Sequence, residues 1–215
     1  MYRFFRYLDR RFDLSACHPG FLARKIPAGV SYLHCFGGIA FVLYLLLLLT
    51  GMLLSVYYVP AEAEAFRSVV AISREVRLGF LVRGMHRWAG HLLLVLVLLH
   101  TARVIGHRAY LPPRELNWLA GAFILLLLLA SGFTGALLPW DQKAYWTTVV
   151  ASGIAGTVPG GGETLLPLVR GGQEVSGSTL LRFYSLHVLW LPLAINLLLW
   201  AHFHMVKRLG VKGVL

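Results

Sequence analysis

The stretch 86–100, HRWAGHLLLVLVLLH, decides how this chain folds: two histidines stand fourteen residues apart on one apolar run. At about 100° per residue, fourteen helical steps bring the two rings within roughly 40° of one face. At about 1.5 Å per residue they lie about 21 Å apart along the axis. A second apolar run repeats the arrangement with His187 and His202, fifteen residues apart, about 60° off one face and about 22 Å apart. Paired, two such helices present two levels of inward histidines, with room for two stacked cofactors across one bilayer.

The rest of the sequence supplies the bilayer. Of 215 residues, 58% are hydrophobic, and the mean hydropathy is +0.69, beyond the range of soluble domains. Four apolar spans are expected at roughly 32–58, 79–105, 115–139 and 180–206. The fold class is therefore all-α, an integral membrane four-helix bundle. Residues 1–31 form an N-terminal amphipathic interfacial segment, 32–207 the bundle and 208–215 a C-terminal tail. Residues 1–14, MYRFFRYLDRRFDL, lack the apolar core and cleavage site of a signal peptide. They place Tyr2, Phe5, Leu8 and Phe12 on one side, as an interfacial helix does. Between spans three and four lie about forty residues rich in Gly, long enough to need short helices of their own or a function.

A net charge of +11 would suggest nucleic acid in a soluble protein. Here the charges sit at helix ends and loops, so they report topology and no nucleic-acid partner is expected. Residues 1–31, 103–115 and 207–215 carry twelve Lys/Arg against three Asp/Glu, while 58–87 and 140–182 carry eight against six. Both termini are thus placed on the cytoplasmic, negative side. Alternating spans then make the second and fourth helices parallel. His86 is level with His187 near the positive side, and His100 with His202 near the negative side.

Ionisable residues at membrane depth are costly and point to function. A single histidine bonded to a backbone carbonyl would be packing; four in two level pairs are ligands. Each level offers two imidazoles and no Cys or carboxylate nearby in sequence to complete a tetrahedral zinc site. Two axial imidazoles instead complete a six-coordinate haem iron, which carries electrons and has no open position. His91 lies about 180° round from His100 and His204 points away from His202, while His18, His34 and His107 sit near the interface. All five are read as non-ligands.

Glycines repeat the interval: Gly37 and Gly51 on the first span, Gly121 and Gly135 on the third, each fourteen apart. A flat porphyrin between helices needs such close backbone approach, although small-residue helix packing gives the same pattern. Arg83 precedes His86 by one turn and Arg103 follows His100 by one turn. With Arg114 and Lys207 they are candidates to pair haem propionates, or to snorkel at the interface.

At these residues the chain resembles the cytochrome b family in its short four-helix form, the cytochrome b6 type. Besides the histidine spacings, the resemblance rests on PRELNW at 113–118, LPWDQKAYW at 138–146 and STLLRFYSLH at 178–187. It implies a subunit of a quinol:cytochrome c or plastocyanin oxidoreductase, inactive alone. Two b haems take one electron of each quinol across the membrane to a quinone reduction site, while a Rieske iron–sulfur protein receives the other, a Q-cycle coupled to proton translocation. Implied partners are the Rieske protein, a c-type cytochrome subunit, quinone, membrane lipid and a separate chain bearing the PEWY segment absent here, in a dimeric complex.

By the same resemblance Cys35, in YLHCFGG at 32–38, attaches a covalent c-type haem by one thioether. By chemistry alone it is a small packing residue, and Cys17 has no assigned role. The short form has Arg where this chain has Lys207. Trp140, Asp141, Tyr145 and Gly153 supply part of the quinol oxidation pocket, or simply form an interfacial helix end. GIAGTVPGGGE at 153–163 and the Leu-rich spans favour a bacterial plasma membrane over a thylakoid. Two rivals remain. A di-haem anchor of a dehydrogenase or hydrogenase has neither Rieske partner nor covalent haem. A metal-ion transporter is colourless and needs carboxylates at membrane depth.

Overall fold

The computed structural model describes residues 32–209. The interfacial helix expected over 1–31, with Cys17 and His18, and residues 210–215 of the tail lie outside the described residues. Among those described, four helices are long and apolar enough to cross a membrane: Tyr32–Ser55, Gly79–Gly106, Glu115–Leu137 and Gly177–Leu209. The all-α expectation holds, with no strand among the described residues.

The first span is a 3-10 turn, Tyr32–Cys35, running into α1, Phe36–Ser55. It closes three residues before the expected end at 58, because the N–H groups of Tyr57 and Tyr58 both turn back to the Leu54 carbonyl. Helix α2, Ala65–Arg74, is short and amphipathic, buries Ala65 and Ile72 and leads into α3, Gly79–Gly106. Helix α4, Glu115–Leu137, ends two residues before 139, where Pro139 and the left-handed Trp140 (φ 51°) interrupt it. The glycine-rich connection forms two helices, α5, Gln142–Gly156, and α6, Gly162–Arg170. Arg170 ties them by donating from Nε to Ser152 Oγ (2.8 Å) and from Nη2 to the Val149 carbonyl (2.9 Å).

The fourth span comprises α7, Gly177–Ser185, a π turn at Leu186–Trp190, and α8, Leu191–Leu209. It extends three residues beyond the expected span at each end. Its start is anchored from across the fold, since Glu62 Oε2 accepts the Gly177 N–H at 3.1 Å. Ser176 N–H donates to Thr179 Oγ1 at 3.1 Å, closing the first turn.

Two antiparallel pairs make the bundle, α1 with α3 and α4 with α8. The core sits between them at mid-height: Ala40 and Tyr44 of α1, Leu93 of α3 and Ile195 of α8, flanked by Leu127 and Leu128 of α4. Tyr44 satisfies its hydroxyl by donating to the Pro192 carbonyl at 3.2 Å. The outward faces carry Leu45, Leu49, Leu92, Val95, Leu126 and Leu197, all exposed. Apolar residues on every side are what a helix facing hydrocarbon requires.

Candidate functional site

Above and below that mid-height core stand the four histidines. His86 of α3 and His187 of the π turn face each other with ring centroids 6.2 Å apart and planes at 76°. A separation of this size is of the order of two metal–nitrogen bonds of about 2 Å plus two ring radii, the scale at which two imidazoles would share one metal ion. His100 of α3 and His202 of α8 make up the other level.

Fifteen residues separate His187 from His202, yet the two stay in phase because the π turn lies between them. Its closing bond runs from Leu191 N–H to the Leu186 carbonyl, five residues back. A π turn takes in about one residue more than an α turn. The offset of about 60° expected for regular helix therefore falls to about 40°, matching His86 and His100.

Each ring is seated against a glycine on the partner helix. A Cβ built at Gly51 would come within 3.2 Å of His86 Cε1, and one at Gly37 within 3.1 Å of His100 Cε1. On the other pair, Gly135 would meet His187 Cε1 at 2.5 Å and Gly121 would meet His202 Cε1 at 3.4 Å. The fourteen-residue glycine interval thus mirrors the histidine interval across each helix pair. The structure adds that the group given room is the imidazole itself.

Three of the rings are also oriented through Nδ1. His86 Nδ1 lies 2.9 Å from Thr50 Oγ1, His187 Nδ1 2.9 Å from the Ser131 carbonyl, and His202 Nδ1 3.2 Å from the Asn117 carbonyl. Engaging Nδ1 leaves Nε2 as the ligating nitrogen. His100 Nδ1 is buried without a partner, as are Arg103 Nε and Asn117 Oδ1 on the residues next to this level. Buried polar atoms left unpaired in this way mark a place built for a further polar group. The residues present fit haem at both levels.

The cations divide. Arg103 has a buried Nε without a partner, and Arg83 is half-buried one turn before His86. Arg114 instead donates from Nη2 to the Leu209 carbonyl at 3.0 Å, capping α8. Lys207 is exposed in the last turn of α8. Cys35 is a free, exposed thiol in the 3-10 turn, two residues from the Gly37 that seats His100.

Trp140 and Tyr145 meet edge to face at 6.0 Å, and Asp141 Oδ1 accepts the Ala144 N–H at 2.8 Å, capping α5. Gly153 is not brought to them: twelve residues along α5 put it about 18 Å from Asp141, close to Arg170. Nearby, Tyr58 donates to the Leu138 carbonyl at 2.7 Å and stacks on Tyr184. Burial, and then Tyr184 beside it, push the Tyr58 phenol pKa upward, so it stays a donor.

Among the described residues, the other histidines make contacts of their own. His91 packs on Trp88 and His204 stacks on Trp200, both on the exposed side. His34, in the 3-10 turn before α1, and His107, just past the end of α3, meet edge to face at 5.6 Å, a contact that spacing alone does not reveal. Sequence reasoning also passed over Thr50, Thr134, Ser131 and Asn117. A signal for two of these was present: each of Gly51 and Gly135 follows a threonine.

Residues 21–210 match the family described as Cytochrome b/b6/petB. The chain is 38% identical to cytochrome b6 of Synechococcus sp. (strain JA-3-3Ab) over the full length of both. It is 39% identical to the menaquinol:cytochrome c reductase cytochrome b subunit of Geobacillus thermodenitrificans, over 99% of each chain. Among solved structures it superposes on a chain of a hyperthermophilic respiratory Complex III with a TM-score of 0.88 at 30% identity. That match covers 97% of this chain and 56% of the other.

Proposed function

The chain belongs to the cytochrome b/b6 family, and from that premise we propose that it is the transmembrane electron carrier of a quinol:cytochrome c-type oxidoreductase complex. It is a multi-pass membrane protein of the b6 type, and its family implies haem b. The observation that carries the reading is the pair of histidine levels, each ring seated on a glycine of the partner helix.

Haem iron held between such a pair supplies reversible one-electron chemistry with no open coordination position. The protein does the rest. Nδ1 contacts hold the rings, the Tyr44–Leu93–Ile195 core excludes water between the levels, and Arg103 offers its unpaired Nε to a propionate. Arg83 would serve the other level in the same way. Arg114 and Lys207, one capping α8 and the other exposed, remain candidates at the negative-side end. Cys35 is the attachment point for a thioether-linked haem beside the His100/His202 level.

Trp140, Asp141 and Tyr145 lie at the end of α4 that carries Gly135, the end of His86 and His187. In this reading they form part of the wall where quinol gives up two electrons and two protons. One electron goes to a Rieske iron–sulfur partner, and the other passes through this chain toward quinone at the opposite face. The missing part of that wall comes from a separate chain carrying PEWY, with a c-type cytochrome as a further partner in a dimeric complex. Both termini lie on the negative side, in a bacterial plasma membrane by preference over a thylakoid.

A pyridine haemochrome spectrum taken before and after acidified-acetone extraction tests this. Two extractable b haems and one haem left on the polypeptide are expected, with the retained haem gone in Cys35→Ser. Nothing retained by the native chain would return Cys35 to packing and revive the simple anchor reading. No haem in the folded protein would sink the proposal.

A further inference from the structure

The two levels are built alike on one side and unlike on the other. On the α4/α8 side both histidines meet main-chain carbonyls of α4, His187 at Ser131 and His202 at Asn117. On the α1/α3 side the short contact of His86 Nδ1 is a side-chain hydroxyl, Thr50 Oγ1 at 2.9 Å, with the Leu47 carbonyl as a weaker second acceptor, whereas His100 Nδ1 has no hydrogen-bond partner. Thr50 supplies the closest acceptor to His86, a side-chain group with no counterpart at His100.

We propose that Thr50 is a positioning residue that holds His86 through its Nδ1–H and thereby lowers the reduction potential of the haem at the His86/His187 level. This rests on the two-haem reading above. The hydroxyl carries one hydrogen, and the Leu46 carbonyl one turn back takes it at 2.7 Å, the usual back-bond of a helical threonine. The oxygen can then only accept from the imidazole, which fixes the proton on Nδ1 and the lone pair on Nε2. Thr50 is 3% exposed, so this acceptor is held in place before any cofactor arrives. Gly51, the next residue, lets the ring come close enough to use it. Before Gly37, at the other level, stands Phe36, which offers no acceptor.

An acceptor on Nδ1–H raises the basicity of the ligating nitrogen. A more basic ligand favours the oxidised, more positively charged iron, and axial-ligand hydrogen bonding is an established lever on haem potential. On α4 the matching residue, Thr134, is nearly as buried but stands 3.5 Å from His187 Nδ1, farther than the Ser131 carbonyl at 2.9 Å. The same substitution there removes a secondary contact and provides the control.

The test is an optical redox titration of the b haems in the intact complex, comparing native, Thr50→Val, Thr50→Ser and Thr134→Val. Valine keeps the shape and removes the acceptor. In Thr50→Val one b-haem transition should move to higher potential while the other stays. Thr50→Ser should leave both in place, and Thr134→Val should shift the same transition less. Unmoved transitions in Thr50→Val with both haems retained would overturn the proposal, as would equal shifts in Val and Ser. If Val loses one haem, retention by Ser supports the hydroxyl's role, and loss by both assigns Thr50 to packing and refutes it. Absence of b haem from the native complex would instead defeat the two-haem reading itself.

Discussion

At the scale of single residues, each histidine is paired with a small or polar group on a neighbouring helix. That makes ligand loss local. Removing His100 deletes one ligand and leaves His86, His187, Gly51 and Gly135 untouched, about 21 Å away along the bundle. A complex carrying His100→Ala is therefore expected to keep the b haem of the His86/His187 level and lose the other, read as one of two b-haem transitions in a redox titration. Both transitions surviving at native amplitude would overturn the ligand assignment. The same locality explains the histidines that are not ligands: His91 and His204 each lie on a tryptophan three or four residues earlier in the same helix, and face outward.

At the scale of the helices, phase and clearance decide the site. The π turn at Leu186–Trp190 puts an extra residue between His187 and His202 without turning either away. Pro192 follows directly inside this continuous span, where it has no N–H to give the carbonyls of the π turn. Clearance is set on the opposite helices and differs sharply between neighbouring glycines. A Cβ at Gly135 would come within 2.5 Å of His187 Cε1, whereas one at Gly132 would meet nothing within 4 Å. Gly135→Leu should displace the ring and lose the haem of that level. Gly132→Ala should retain both haems, with a helix about 0.5–1 kcal/mol more favourable. Haem stoichiometry and thermal melting of the two variants check this, and equal haem content in both would show that the glycine does not seat the ring.

For the whole molecule, the arrangement is two histidine levels separated by an apolar core, with α2, α5 and α6 gathered at the His86/His187 end. At that end Asp141 caps α5 and Trp140 packs on Tyr145, and by the proposed reading they form one wall of a pocket and not a closed site. The isolated, haem-loaded chain should accordingly show no quinol:cytochrome c reductase activity, while the assembled complex turns over. Activity from the isolated chain would place the whole quinol pocket within these 215 residues.

Much of this could be read from the linear sequence. The periodicity of 86–100 and 187–202 picked out the two histidine-bearing helices, since a regular helix converts a spacing of fourteen into one face. Four apolar spans made those helices parallel and so placed the histidines on two levels. The matching glycine interval was visible too, but what each glycine faces was not, because clearance depends on which helices pair. The tertiary structure alone decided the π turn, where bundle packing overrides the regular α repeat. It also set the Nδ1 partners of each ring, which come from residues tens of positions away, and it separated Gly153 from Trp140 along α5. Spacing determines phase within one helix. Contacts between helices depend on their pairing and rotation, which only the folded bundle establishes.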